Sequence, residues 1–197
     1  MSSNKGGLLT AHDLNHVDRV LYWAVWIARE ESFRNLDIVE VTALLHDIGF
    51  LGINVESDRN KHGEIGAEIA SRFLTGNSSL TNVQIEQIAI AIRYHNVPPS
   101  RAATLLLTLG KRGELVEIIR DADILDALGA VGIMRAFTSK SHLEEYDPGN
   151  VKGETWGLTT GYFLTKKASK GIGFPQYIMD QINWQMTYPR NLHTRPA

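Results

Sequence analysis

Apolar residues recur along most of the chain at the spacing of one helical face, and no strand-like alternation of apolar and polar residues is sustained. This pattern predicts an all-α fold. The predicted helices cover residues 10–31, 37–48, 62–74, 81–95, 100–109, 114–137, 158–170 and 175–186, and Gly129 and Gly132 interrupt the sixth. We find no internal repeat and no linker. We therefore expect one domain over residues 1–197, in which residues 138–197 form a helical extension of unassigned role.

Two helix boundaries are marked by residues with known preferences for helix ends. Thr10, followed three residues later by Asp13, resembles a capping box and predicts that the first helix begins there. Gly49 is expected to end the second helix, because glycine is favoured just past helix C-termini. This boundary places His46 and Asp47 in the last turn of the second helix.

Composition narrows the class of protein. Lys and Arg total 20 against 22 Asp and Glu, and the two signs are mixed, which argues against a nucleic-acid polymer as partner. No apolar run approaches the ~20 residues that a membrane span needs, and residues 1–10 lack the apolar segment of a secretion signal. We therefore expect a cytoplasmic protein that does not contact a membrane. Because the chain has no cysteine, any bound metal must be held by His, Asp or Glu.

Several polar residues lie on the apolar faces of the predicted helices. For example, His16 shares a face with Val20, Trp23 and Ile27. The full set of polar residues placed in this way is His16, His46, Asp47, His62, His95 and Asp123. Burying these groups without partners would cost several kcal/mol each, so we expect them to converge on cations.

The predicted ligands are imidazole nitrogens and carboxylate oxygens without sulfur. This set suits Mn, Fe, Co, Ni or Zn better than Mg or Ca, because imidazole favours transition metals. Adjacent His46 and Asp47 can both reach one ion, and the second oxygen of Asp47 can bridge to another. Of the remaining histidines, His12 is one turn before His16 and could extend the cluster, but its place in the first helical turn favours exposure. His142 and His193 are expected at the surface.

The order His16, His46-Asp47, Asp123 resembles the H…HD…D signature of the HD-domain superfamily of metal-dependent phosphohydrolases. Three stretches support the resemblance: residues 12–20 (HDLNHVDRV) are similar to HDxxHvxRV, residues 43–49 (ALLHDIG) to aLLHDiG, and residues 121–130 (DADILDALGA) to DADrLDAlGA. The three stretches occur within residues 10–137 in the order that the family signature has. The resemblance implies the all-α helical bundle of the HD domain, in agreement with the periodicity.

Two further motifs concern the number of metal ions. Residues 61–69 (KHGEIGAEI) and 93–96 (RYHN) are similar to elements of HD proteins that hold two ions. Resemblance to these proteins implies that His62 and His95 of this chain bind the second ion and that Asp47 bridges the two ions. In stand-alone HD hydrolases with one ion, histidines in this region contact substrate phosphate or water. The sequence leaves both arrangements, one ion or two, open.

The resemblance implies hydrolysis of a phosphate ester or anhydride in a small phosphorylated substrate such as a nucleotide. A bound metal lowers the pKa of water from about 15.7 toward about 7 and polarises the phosphoryl oxygen. Arg19, three residues from His16, and Lys61, next to His62, are the best-placed cations for the phosphate charge. Asp126, one turn after Asp123, is expected to orient a ligand histidine or to hold the attacking water. The alternative is that Asp126 is a carboxylate at the protein surface with no role in the site.

Other functions are compatible with the same residues. Some HD proteins with six such ligands resemble di-iron oxygenases that cleave carbon bonds with O2, and a non-catalytic metal- or nucleotide-binding regulator is a third alternative. The chain departs from the family at Ile124, where the family usually has Arg, and after about residue 140, where it resembles no family tail. The sequence leaves open the substrate, the metal and whether the protein forms a homo-oligomer.

Overall fold

The computed structural model describes residues 12–53, 59–158, 162 and 175–194. The α-helices of these residues are α1 (Leu14–Glu30), α2 (Leu36–Leu45), α3 (His62–Leu74), α4 (Asn82–Tyr94), α5 (Pro99–Leu109), α6 (Glu114–Asp126), α7 (Gly129–Ser139) and α8 (Ile178–Gln185). Short 3-10 turns cover Ile48–Gly52, Arg59–Lys61, Gly110–Gly113 and Tyr188–Asn191. The described residues contain isolated β-bridges but no β-strand, so the all-α prediction is confirmed.

The predicted bounds agree with the structure for α3 and differ elsewhere. The first helix begins at Leu14, after a turn and a bend at residues 12–13, so the predicted start is wrong; Thr10 itself lies outside the described residues. The second helix ends at Leu45, so His46 is its C-cap rather than part of its last turn. The region 114–137 forms two helices, and the predicted helix 158–170 falls almost entirely outside the described residues.

The chain folds into two compact units. The first unit comprises Leu14–Leu125 and His193–Ala197, and the second comprises Met1–Asp13 and Asp126–Leu192. That residues 1–197 form one domain stays a prediction. No helix in the described ranges is both long and apolar enough to cross a membrane.

The core of the first unit is built mainly from the apolar faces of α1, α2, α3, α4 and α6. Its most deeply buried side chains include Val20 and Ile27 of α1, Ile38 and Val39 of α2, Ile88 and Ile92 of α4, and Val116 and Ile119 of α6. Each such burial contributes roughly 1.5–3 kcal/mol before the cost in chain entropy is subtracted. These helices are therefore held together by the same apolar faces near which the polar residues of interest lie.

Glycines allow the turn after α2 to contact the backbone of α3, and α3 to contact α4. A Cβ atom added to Gly49 would lie 1.8 Å from the carbonyl oxygen of His62 and 2.7 Å from the backbone nitrogen of Gly66. A Cβ atom added to Gly63 would lie 2.7 Å from the carbonyl oxygen of Arg93. Because these neighbours are backbone atoms, no change of rotamer could make room.

In the second unit, α8 is tied to the loop that follows α7. The hydroxyl of Thr155 donates to the Asp180 carboxylate (2.8 Å), and the side-chain amide of Asn183 donates to the carbonyl of Lys152 (2.8 Å). All three side chains that make these bonds are buried. These hydrogen bonds compensate for removing the polar groups from water.

We expect Gly49→Ala to destabilise the first unit by about 2 kcal/mol or more, because the new methyl group must displace the backbone of α3. Gly76→Ala is the matched control: Gly76 has a φ of +79°, but nothing lies within 4 Å of its added Cβ. We expect the control to cost about 1 kcal/mol, from backbone conformation alone. Urea unfolding measures both. Equal losses in the two variants would show that the contact between Gly49 and α3 is not tight.

Candidate metal centre

Six side chains from five segments of the first unit converge on one point. His16 is on α1, His46 and Asp47 follow α2, His62 opens α3, His95 is the C-cap of α4, and Asp123 is on α6. The four histidines are buried, whereas the Asp123 side chain is 31% exposed. The structure thus brings together all six residues that were predicted as ligands.

The Asp47 carboxylate lies between two pairs of imidazoles. Its Oδ2 is 3.3 Å from Nε2 of His16 and 3.2 Å from Nε2 of His46. Its Oδ1 is 3.5 Å from Nε2 of both His62 and His95. Each oxygen therefore faces its own pair of histidines.

Within each pair, the two Nε2 atoms face each other. They are 3.2 Å apart between His16 and His46, and 3.1 Å apart between His62 and His95. Nδ1 of His46 lies 2.7 Å from the carbonyl oxygen of Ala43, and Nδ1 of His95 lies 2.7 Å from that of Ile92. Since a carbonyl oxygen can only accept, both Nδ1 atoms must donate.

These hydrogen bonds determine the tautomers of two rings. A neutral imidazole that donates from Nδ1 has its lone pair on Nε2. In their neutral form, His46 and His95 would therefore direct lone pairs at the Asp47 carboxylate and at the Nε2 atom of the partner histidine. A cation, either a proton or a metal ion, is needed where these acceptors meet.

The separations between donor atoms fit a metal ion. Metal–nitrogen and metal–oxygen bonds of about 2.0–2.2 Å place neighbouring ligand atoms roughly 3.0–3.6 Å apart in tetrahedral or octahedral geometry. The contacts described between these donor atoms run from 3.1 Å (His62 to His95) to 3.6 Å (His16 Nε2 to Asp123 Oδ1). Two groups, His16, His46, Asp123 and Asp47, His62, His95, each have ligand atoms within 4.8 Å of one another. The donor set therefore fits divalent transition metals.

Charge within the cluster shifts two pKa values. Burial by itself lowers the pKa of His46, but Asp47, Asp123 and the Ala43 carbonyl together raise it to about 9. Partial burial by itself raises the pKa of Asp123, but the nearby His16 and His46 lower it below its usual value. The Asp123 carboxylate is thus ionised at neutral pH, and His46 binds a proton more tightly than a free imidazole does.

The ring of His62 is positioned by neighbours that the sequence did not point to. Phe50 stacks on it, with ring centroids 4.3 Å apart and planes 10° from parallel. The side-chain amide nitrogen of Asn96 lies 3.3 Å from its Nδ1. Asn96 follows the ligand candidate His95 directly, and this adjacency was the available signal.

The three residues predicted to assist catalysis differ in their surroundings. Arg19 is half-buried on α1, and Lys61 is exposed immediately before α3; their contact with substrate stays a prediction. Asp126 belongs to the second unit, where it is buried and accepts a 2.6 Å bond from Nη1 of Arg135. The alternative of a surface carboxylate is therefore wrong for Asp126, and its proposed role beside the metal stays a prediction.

The three histidines outside the cluster differ in how exposed they are. His142 is exposed as expected, and His12 is half-buried in the turn before α1. The expected surface position of His193 is wrong: it is half-buried, and its backbone N–H donates to Asp121 Oδ2 (2.7 Å). Asp121 also accepts from the backbone N–H (2.6 Å) and hydroxyl (2.8 Å) of Thr194. No local pattern could predict this contact, because it joins residues far apart in the chain.

The family described as HD domain matches residues 13–128, a range that contains all six residues of the cluster. The chain belongs to the HD domain family. A predicted HD superfamily hydrolase from an uncultured Thermotogales bacterium is 33% identical to this HD domain protein. That match covers 71% of this chain and 68% of the other, with a TM-score of 0.49.

Two further proteins are similar to this HD domain chain. A Lactobacillus plantarum protein of known crystal structure has the same fold, with a TM-score of 0.61, 20% identity and coverage of 94% of this chain and 77% of that one. The uncharacterised protein YpgQ of Bacillus subtilis strain 168 is 29% identical over 136 residues, which are 65% of this chain and 57% of YpgQ. The match thus spans less than two thirds of that curated relative.

We expect metal binding at pH 7 to release protons from protein that has been stripped with a chelator. Because the pKa of His46 is about 9, its Nε2 is protonated at pH 7, and a metal ion must displace that proton. Calorimetric titration with Mn(II) in two buffers of different ionisation enthalpy measures the release, which should be about one proton from His46 per chain. Affinity should rise as the pH approaches 9. Identical heats in the two buffers would contradict this assignment.

Proposed function

We propose that this HD domain protein is a hydrolase that uses two divalent metal ions to cleave a phosphate ester or anhydride bond in a small phosphorylated metabolite such as a nucleotide. The observation that carries the proposal is the Asp47 carboxylate, which presents one oxygen to His16 and His46 and the other to His62 and His95. This is the arrangement that a bridging carboxylate requires.

The residues divide into two sets of ligands. His16, His46 and Asp123 would hold one ion, His62 and His95 would hold the other, and Asp47 would contact both. Paired divalent ions lower the pKa of water and stabilise the attacking and leaving oxygens of a phosphoryl group. The chain's own contribution is to keep the four imidazoles buried and to fix two of the four rings by backbone hydrogen bonds.

The exposure of the ligands indicates where substrate would approach. The His16 and His46 side chains have no exposed surface, and Asp47 is 9% exposed, whereas Asp123 is 31% exposed. We place the substrate on the Asp123 side for this reason. Arg19 and Lys61, neighbours of His16 and His62 along the chain, would balance the negative charge of the phosphate.

A metal and substrate panel tests the proposal. Protein loaded with Mn, Co or Ni is incubated with nucleoside mono-, di- and triphosphates and sugar phosphates, and released phosphate or pyrophosphate is measured. Hydrolysis that depends on the metal supports the proposal. O2 uptake by the iron-loaded form without hydrolysis would instead identify an oxygenase. Metal binding with neither activity would identify a regulator and contradict the proposal.

We expect His46→Ala and Asp47→Ala each to remove bound metal and to lower turnover by more than about 100-fold, which exceeds the 10–100-fold typical of residues that only support a ligand. The helical circular dichroism should be retained, because α2 is also anchored by Ile38, Val39 and Ala43. His142→Ala, at an exposed position outside the cluster, is the control and should leave both quantities unchanged. Stoichiometric metal in both cluster variants would refute the ligand assignment.

We expect His62→Gln to lower the metal content from about two ions per chain toward one, since the Asp47, His62 and His95 group loses an imidazole. Glutamine keeps much of the side-chain volume and limits collapse of the site. Elemental analysis after removal of free metal gives the count. An unchanged count with impaired activity would assign His62 to substrate phosphate instead of a metal ion.

A further inference from the structure

Arg120 is a charged residue of the first unit that lies outside the six-residue cluster and yet is only 3% exposed. It is on α6, three residues before Asp123. Its Nη1 donates to the carbonyl oxygens of Val97 (2.5 Å) and His95 (3.4 Å). Both carbonyls lie at or just past the C-terminus of α4, where intrahelical N–H partners run out. The guanidinium therefore donates hydrogen bonds to carbonyls at the end of the helix that carries His95.

Stability alone does not account for a buried cation at this position. Burial lowers the pKa of Arg120, and Asp121 and Asp123 oppose that shift. Its Nε is buried and has no hydrogen-bond partner within the part of the chain that the structure describes. A buried ion with incomplete hydrogen bonding is typically no more stabilising than a hydrophobic side chain of similar volume. A geometric role explains why a guanidinium, rather than an apolar group, occupies this place.

We propose that Arg120 is a positioning residue that fixes His95 for the ion held by Asp47, His62 and His95. This inference rests on the two-ion site proposed above. His95 is held at two points: its ring Nδ1 lies 2.7 Å from the Ile92 carbonyl, and its own carbonyl accepts from Arg120. These two bonds orient Nε2, which lies 3.5 Å from Asp47 Oδ1.

The position of His95 gives the second bond a role. His95 is the C-cap of α4 and still has helical backbone angles (φ −56°, ψ −33°), but the residues that follow it lie outside the regular helix. Helix ends fray unless side chains or other groups bind their free carbonyls. Without the guanidinium, the main chain at His95 and Val97 would sample a wider range of positions, and the Nε2 atom would move with it.

The experiment compares Arg120→Met with the wild-type chain, using Mn(II) as the probe. Methionine keeps a long unbranched side chain and removes every donor. We expect affinity for the second ion to fall by about 10–100-fold, the range for residues that orient a ligand, while affinity for the first ion is unchanged. Electron paramagnetic resonance should show coupled Mn(II) pairs in the wild type and isolated Mn(II) in the variant at the same metal concentration.

Two further variants control the result. Arg112→Met removes a guanidinium that is 56% exposed and pairs with Glu86 at 3.8 Å, and it should retain both ions and the coupled signal. Arg120→Lys keeps the charge and can donate to one or both carbonyls, so it should recover part of the affinity for the second ion. If Arg120→Met does not fold, the lysine variant provides the measurement.

The alternatives are separated by the same titrations. Wild-type affinity for both ions in Arg120→Met, with the coupled signal intact, would overturn the positioning role while leaving the two-ion site in place. If affinity falls equally for both ions, or if both Arg120 variants unfold, Arg120 serves general stability, and the positioning role is again overturned. A wild-type chain that binds fewer than two ions would overturn the two-ion site itself and, with it, this role.

Discussion

Four buried imidazoles share the space around one carboxylate, and this crowding governs the architecture of the first unit. The facing Nε2 atoms are 3.2 Å apart in one pair and 3.1 Å apart in the other. Two lone pairs at such distances repel unless a cation lies between them, and removing the rings from water raises the cost further. The negative charge of the Asp47 carboxylate would balance such a cation on either side. The cluster is stable only while the apolar helices around it hold these groups in one arrangement.

The ends of helices take part in the cluster. His46 and His95 are the C-cap residues of α2 and α4, and each ring donates to the carbonyl of the residue three positions earlier. The carbonyls at a helix C-terminus would otherwise lack partners. Each of these hydrogen bonds therefore serves two purposes: it completes the helix end, and it sets the nitrogen that faces the site.

The helices and the six ligand candidates were predictable because both follow from local periodicity. The bounds 62–74 of α3 agree with the structure, and every polar residue that was predicted on an apolar face is in the cluster. The early end of α2 was not predictable, since no residue before Gly49 marks it and the turn that follows packs Gly49 against the backbone at His62. The carbonyl contacts of Arg120 and the pairing of Asp126 with Arg135 were missed for a related reason. Such contacts depend on tertiary packing, which leaves no periodic pattern in the sequence.

The hydrogen bonds of Asp121 to residues 193–194 have a consequence for how the chain can change. The chain leaves the first unit after Leu125 and returns at His193, which is bonded to α6 only four residues before the point of departure. Leu125 and His193 of the first unit are thus both held near one turn of α6. When the ends of a segment are fixed close together, each doubling of its length costs only about 0.6 kcal/mol in closure entropy. A change in the length of the chain between Leu125 and His193 would therefore cost the first unit little closure entropy, and the helix that carries Asp123 would keep its hydrogen bonds to residues 193–194.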